Sequence, residues 1–227
     1  MTDQLADDSF RAAGIELADE VRSLMAEMNR LTADTKGLAL ACQRVAEARQ
    51  ALEGPVRHRW YEVPFEDIDD DMEFQLRTEA TDHSLFRGRR NPLAPPLVVT
   101  TESDTEGPFV VGVVRCDRLR EGPPERLHGG YLSGLFDDVL SGVPSLVGAG
   151  PTVTARLSIR YREPTPLDVD LRFEARIVSH SGRRLVARAR CLAPSNNGVT
   201  KETGTPIVTA EAEALFVVVA RRVQENR

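Results

Sequence analysis

The chain has 227 residues, 29 of them basic and 35 acidic, for a formal net charge of −6. That balance argues against a nucleic-acid binder held by bulk charge. Hydrophobic residues make up 41% at a mean hydropathy of −0.30, and apolar stretches such as Leu215 to Ala220 fall far short of the roughly 20 residues that span a bilayer, so a globular protein without membrane partners is expected. The length suits one enlarged domain, or a domain with a helical appendage.

The first ten residues, with Asp3, Asp7 and Asp8, lack the basic and apolar regions of a secretory leader, and a cytoplasmic location is expected. Between Ile15 and Leu52 the apolar residues recur at helical spacing: Leu17, Val21, Leu24, Met28 and Leu31, then Leu38, Ala41, Val45 and Leu52. Two helices joined at Thr32, Asp34 and Thr35 predict an antiparallel hairpin over residues 1–55, closed by Gly54-Pro55. The hairpin is either a dimerisation element or a cover for the core, and the lack of a polar constellation on it favours the cover.

Residues 56–96 read as an irregular connecting segment with short strands, carrying Trp60, Tyr61, Phe65, Phe74 and Phe86 and the acidic run Asp69 to Asp71. Asp67, Asp69 and Asp71 alternate as calcium-loop ligands do. Met72 stands where the turn glycine belongs, however, and Thr78 where the bidentate glutamate belongs, so the run reads as a solvated face. Cys42, Cys116 and Cys191 have no paired spacing and read as small buried apolar residues. His58, His83 and His180 have no acid or cysteine at metal spacing, so no metal is expected.

From Leu97 the period changes to two. Strands are expected at Leu97 to Thr101 and Phe109 to Cys116, separated by Glu106-Gly107-Pro108, then a helix running from His128-Gly-Gly130 to Gly142. Three alternating runs follow, with inward sets Val153, Ala155, Leu157, Ile159 and Tyr161, then Val169, Leu171, Phe173, Ala175 and Ile177, then Leu185 to Leu192 after the turn His180-Ser-Gly182. A polar loop from Pro194 to Pro206 precedes a last strand from Ile207 to Val219. Turn-length connections make this an α+β domain over residues 97–220, a mostly antiparallel sheet with one helix against it.

Polar residues cluster without a structural reason only along His128 to Gly142. At about 100° per residue, Leu132, Leu135, Phe136, Val139, Leu140 and Val143 share one arc, with Ser133, Gly134, Asp137, Asp138 and Ser141 opposite. Gly129-Gly130 lets a ligand approach bare amides at the helix start, where unpaired N–H groups and the dipole stabilise a developing oxyanion. A carboxylate on the same helix two to three turns on is placed to act as base or nucleophile. Ser133 lacks the Gly-x-Ser-x-Gly frame of a nucleophile elbow, and no phosphate loop is present.

These residues resemble the hotdog-fold acyl-CoA thioesterases of the phenylacetic-acid-degradation (PaaI-like) type. The resemblance rests on His128-Gly-Gly130 opening a helix, Asp137 within it, the strand Thr154-Ala-Arg-Leu-Ser-Ile-Arg-Tyr161 with Pro164 and Pro166-Leu167, and Asn91-Pro-Leu-Ala-Pro-Pro96. It covers Leu97 to Val219 and implies a sheet wrapped around a central helix, in a homodimer or dimer of dimers with sites at the interface. It further implies that Gly130 polarises the thioester carbonyl through its backbone N–H, that His128 shapes the helix start, and that Asp137 is general base or nucleophile. Thr154 would come from the partner subunit to orient Asp137 or the water. Coenzyme A, part of the substrate and no separate cofactor, would set its phosphates on the basic turn Gly182-Arg183-Arg184, a turn that reads equally well as solvated. Gly129 would lie against the substrate.

Three departures from the family pattern stand out: Tyr131, a bulky residue that would shrink the acyl pocket; Asp138, directly after Asp137 and expected to face solvent; and the long Pro194 to Pro206 loop. A non-catalytic acyl-CoA-binding module acting as sensor or regulator is the alternative function, since fold does not fix function. The complete set of His-Gly-Gly, Asp137 and Thr154 favours the enzyme.

Overall fold

The computed structural model describes residues 2–57, 70–195 and 204–219. Trp60, Tyr61, Phe65, His58, Asp67 and Asp69 of the acidic stretch read as a solvated face, and residues 196–203 of the expected polar loop lie outside the described residues. The chain divides into two compact units, Met1–Ser84 with Gly88–Pro92, and Leu85–Arg87 with Leu93–Arg227.

Among the described residues the first unit carries three helices, α1 (Thr2–Arg30), α2 (Thr35–Gln50) and α3 (Asp70–Asp82). α1 begins well before the first apolar repeat at Ile15, because Ala6, Ala12 and Ala13 continue a helix-favouring sequence toward the N-terminus. Asp34 caps α2, its side chain accepting the Gly37 N–H at 2.7 Å. α3 corrects the expectation of irregular structure with short strands across residues 56–96. Its sequence is rich in helix formers (Met72, Glu73, Gln75, Leu76, Arg77, Ala80), and its acidic start stands at the helix end that favours negative charge. α1 is fixed within the unit by a polar face: Arg11 donates to both Asp82 oxygens at 2.6 and 2.8 Å, and Arg22 donates to the carbonyls of Arg89 and Asn91 at 2.9 and 2.8 Å. Cys42 is exposed, contrary to the buried reading, because α2 buries none of its residues. Among the described residues no helix is long and apolar enough to cross a membrane.

Among its described residues the second unit is a six-stranded antiparallel sheet with one α-helix against its inner face. The strands are β1 (Val98–Asp104), β2 (Gly107–Arg115), β3 (Thr152–Tyr161), β4 (Asp170–Ser181), β5 (Arg184–Ser195) and β6 (Gly204–Val218), in spatial order β1-β2-β4-β5-β6-β3. The helix α4 (Gly129–Leu140) buries Leu132, Leu135, Phe136, Val139 and Leu140, the apolar arc read from the sequence. Phe136 meets Phe173 of β4 edge to face at 5.0 Å.

The sheet receives the helix closely because its inner positions are small. Ala175, Ala187, Ala189, Ala210, Ala212 and Ala214 line the inner face, and at Gly112 a Cβ would come within 2.5 Å of Val139 Cγ2. Cys116 and Cys191 are buried in this core, and burial pushes both thiols up to about 12, so they pack as apolar groups. The outer face is charged and cross-paired, with Arg188 donating to Glu213 and Arg190 to Glu174, both at 2.9 Å. A two-residue connection joins β4 to β5, and Gly182 adopts the φ of +55° that such turns require.

Candidate active site

The site is assembled from one stripe of α4 and the inner side of β3. Gly129, Ser133 and Asp137 succeed one another at four-residue intervals, so they line one side of the helix. After α4 a short 3-10 helix (Val143–Val147) returns the chain to the sheet, where β3 runs along β6 as the edge strand. β3 is therefore beside the polar stripe of its own helix.

The contacts are specific. Thr154 Oγ1 donates to Asp137 Oδ1 at 2.9 Å. At the other end of the strand Tyr161 Oη donates to the Gly129 carbonyl at 2.9 Å and lies 3.0 Å from Ser133 Oγ. Ser133 Oγ also donates to the Gly129 carbonyl at 2.8 Å. β3 thus grips both ends of the stripe. Asp137 is half-buried and its Oδ2 accepts no hydrogen bond among the described residues, which leaves one carboxylate oxygen open toward the site.

Thr154 reaches Asp137 through a break in the strand alternation. Simple period two makes Ala155 inward, with Leu157, Ile159 and Tyr161, and turns Thr154 outward. The register slips between Thr154 and Arg156: Arg156 pairs with Leu215, yet Thr154 pairs with Phe216, so Ala155 is the extra residue of a bulge. Residues opposite one another in an antiparallel pair share a face, and Phe216 is buried in the core, so Thr154 lands on the inner side. The hydrogen bond also corrects the expectation that Thr154 comes from the partner subunit: both residues belong to one chain, because β3 follows α4 directly.

At the helix start His128 is the N-cap, and its Nδ1 accepts the Gly130 N–H at 3.0 Å. His128 thus caps the helix start and occupies the amide expected to be open at Gly130. The N–H groups of Gly129 and Tyr131 have no acceptor among the described residues. The helix start still presents free donors and the positive end of the dipole to an incoming oxygen.

Two sequence expectations part from this geometry. Asp138 does not face solvent: it is mostly buried and ion-paired with Arg87, which also donates to the Asp138 carbonyl at 2.7 Å. Burial pushes its carboxyl above the ordinary range, with Arg87 pulling in the opposite direction. Tyr131 turns away from the stripe into a cluster with Phe86, edge to face at 5.5 Å, and Arg120, whose Cζ lies 5.7 Å from the ring; burial raises its phenol. It therefore does not narrow the space beside Asp137.

Arg183 and Arg184 stand apart from the helix start. Arg184 pairs with Val217 of β6 and Val153 of β3 pairs with the same residue, so the basic turn is two strands from β3 at the Thr154 end of the sheet. Arg183 Nε donates to the Val218 carbonyl at 2.9 Å. The sequence reading missed Tyr161, placed with the apolar inward set, and Arg87, which lies outside every motif. The only sequence signal for Tyr161 is a polar-tipped side chain closing an inward run.

Residues 125–199, spanning α4, β3, β4 and β5, match the family described as the thioesterase superfamily. Among solved structures the chain is similar to the crystal structure of a thioesterase superfamily protein, with 27% identity, 90% of this chain and 94% of that chain covered, and a TM-score of 0.64. It overlaps less closely a hypothetical thioesterase from Streptococcus pneumoniae TIGR4 solved with coenzyme A, at 23% identity, 56% and 88% coverage and a TM-score of 0.43. An acyl-CoA hydrolase from Staphylococcus aureus in complex with butyryl coenzyme A matches at 14% identity, 50% and 66% coverage and a TM-score of 0.44. No curated protein matches the chain.

Proposed function

We propose that the chain is a hotdog-fold enzyme of the thioesterase superfamily, a reading supported by the match over residues 125–199 and by the similar solved structure, and that it hydrolyses acyl-CoA thioesters to the free acid and coenzyme A, with Asp137 as general base. The observation that carries the reading is the Thr154 hydrogen bond to Asp137 on the same helix stripe as the amide-bearing start of α4. Thr154 fixes one carboxylate oxygen, and the open oxygen takes a proton from water as the water oxygen adds to the thioester carbonyl carbon. The carbonyl oxygen is received by the first-turn amides that His128 leaves open, those of Gly129 and Tyr131. Collapse of the tetrahedral species breaks the C–S bond, and the proton held by Asp137 goes to the departing thiolate.

The working form is a homodimer. β3 is a ten-residue edge strand, largely exposed, and an open edge of that length is a template for pairing with a second copy. Pairing there places two sites side by side. The phosphates of coenzyme A are assigned to Arg183 and Arg184, whose guanidinium groups suit bidentate contact with phosphate oxygens.

Thiol release by Thr154 variants tests the reading. A hydrogen bond to a charged group contributes about 1.5–3 kcal/mol, so Thr154→Val is expected to lower kcat by roughly 10- to 100-fold. Thr154→Ser, which keeps the hydroxyl, is expected to stay within a few-fold of the native rate. A native kcat in Thr154→Val would remove Thr154 from the mechanism and with it the observation on which the assignment rests.

A further inference from the structure

We propose that the first unit is an association element, in which α1 of one chain pairs with α2 of a second copy of this chain. The apolar residues of both helices follow a heptad spacing. On α1 they fall at Leu17, Val21, Leu24, Met28 and Leu31, alternating four and three residues apart. On α2 and its end they fall at Leu38, Ala41, Val45, Ala48 and Leu52, alternating three and four. That 3.5-residue repeat is the seam of a helix that packs against another helix along its length, and is narrower than the stripe of a helix lying on a sheet.

The chain leaves both seams open. Leu24, Met28 and Leu31 are 37%, 72% and 52% exposed, and Leu38, Val45 and Leu52 are 59%, 48% and 68% exposed. α2 buries none of its residues, so the chain's own α1 does not cover it. α1 is held within its unit by a different face, that of Arg11, Ala18 and Arg22, which leaves the seam fixed in direction and uncovered.

Charge selects the pairing. α1 carries seven acidic residues against three basic ones, and α2 three basic against one acidic. The residues flanking the seams follow the same division: Glu20 and Glu27 beside that of α1, Arg44 and Arg49 beside that of α2. α1 against α1 would set acids against acids. α1 against α2 of a second copy, repeated by two-fold symmetry, matches both sets and forms a four-helix bundle.

The test is sedimentation velocity on the full-length protein over a wide range of concentration, with helicity and thermal melting recorded for each variant. Leu24→Glu combined with Val45→Glu is expected to weaken association by about thirtyfold or more, the ratio that follows from losing an interface hot spot. Leu40→Glu, at an exposed leucine of α2 off the seam, is expected to leave association at the native value. Glu20→Arg with Glu27→Arg is expected to weaken association, and adding Arg44→Glu with Arg49→Glu to restore it. Native association in the Leu24/Val45 variant overturns the proposal, whether its melting temperature is unchanged or lowered; a lowered one would show the seams closing on each other within one chain. Equal loss in Leu40→Glu, or no restoration by the second charge reversal, overturns the pairing.

Discussion

Asp137→Asn is expected to lower kcat for thioester hydrolysis by roughly 10²- to 10⁴-fold, with KM and thermal stability near native values. Asparagine keeps the size of the side chain and still accepts from Thr154 through its carbonyl oxygen, but it has no basic oxygen to take a proton from water. Asp138→Asn is expected to keep kcat within a few-fold of native, because Asp138 is committed to Arg87 rather than to the open side of the stripe. Initial rates of thiol release on the two variants and the native protein, with melting curves alongside, separate the adjacent acids. Loss of turnover in Asp138→Asn with native turnover in Asp137→Asn would exchange their roles.

Arg87→Met is expected to destabilise the second unit by about 3 kcal/mol, since it leaves a mostly buried carboxylate without its cation. For a chain of this size that corresponds to a fall of about 6–12 °C in melting temperature. The dependence on pH has a definite sign. Burial raises the folded-state pKa of Asp138 above its unfolded value, and removing Arg87 raises it further, so the folded state binds a proton more readily than the unfolded one. The stability gap between the variant and the native protein is therefore widest at neutral pH. It narrows as pH falls through the folded pKa and is smallest below the unfolded carboxylate value of about 3.9. Adding Asp138→Asn to Arg87→Met is expected to recover most of the loss at neutral pH. Melting curves from neutral to acid pH check this, and a gap that stays constant with pH would contradict it.

The inner faces of the strands and of α4 were legible because burial is written as periodicity: the arc Leu132, Leu135, Phe136, Val139 and Leu140, and the alternation through Leu171, Phe173 and Ala175, both lie in the core. The polar stripe of α4 was legible for the same reason, as the complement of that arc. The facing of Thr154 was not, because a bulge adds one residue without changing composition, and period two carried across it turns Thr154 the wrong way. The occupation of the Gly130 amide by His128 was hidden too, since the same His-Gly-Gly sequence serves an open or a capped helix start. Arg87 and Asp138 are 51 residues apart, and such pairing depends on how the segment before β1 is routed past α4. α3 was missed because its sequence has little amphipathic pattern and its helix rests on local propensity.

Hydrolysis of acyl-CoA thioesters is the activity proposed for the stripe bearing Asp137. The direct measurement is thiol release by the native protein across short, medium, long and aromatic acyl-CoA substrates, with Asp137→Asn as the reference and binding of each substrate measured by calorimetry. Turnover of at least one substrate by the native protein is expected, with its loss, binding retained, in Asp137→Asn. Binding of acyl-CoA without turnover by the native protein would contradict it and leave the fold as an acyl-CoA-binding module.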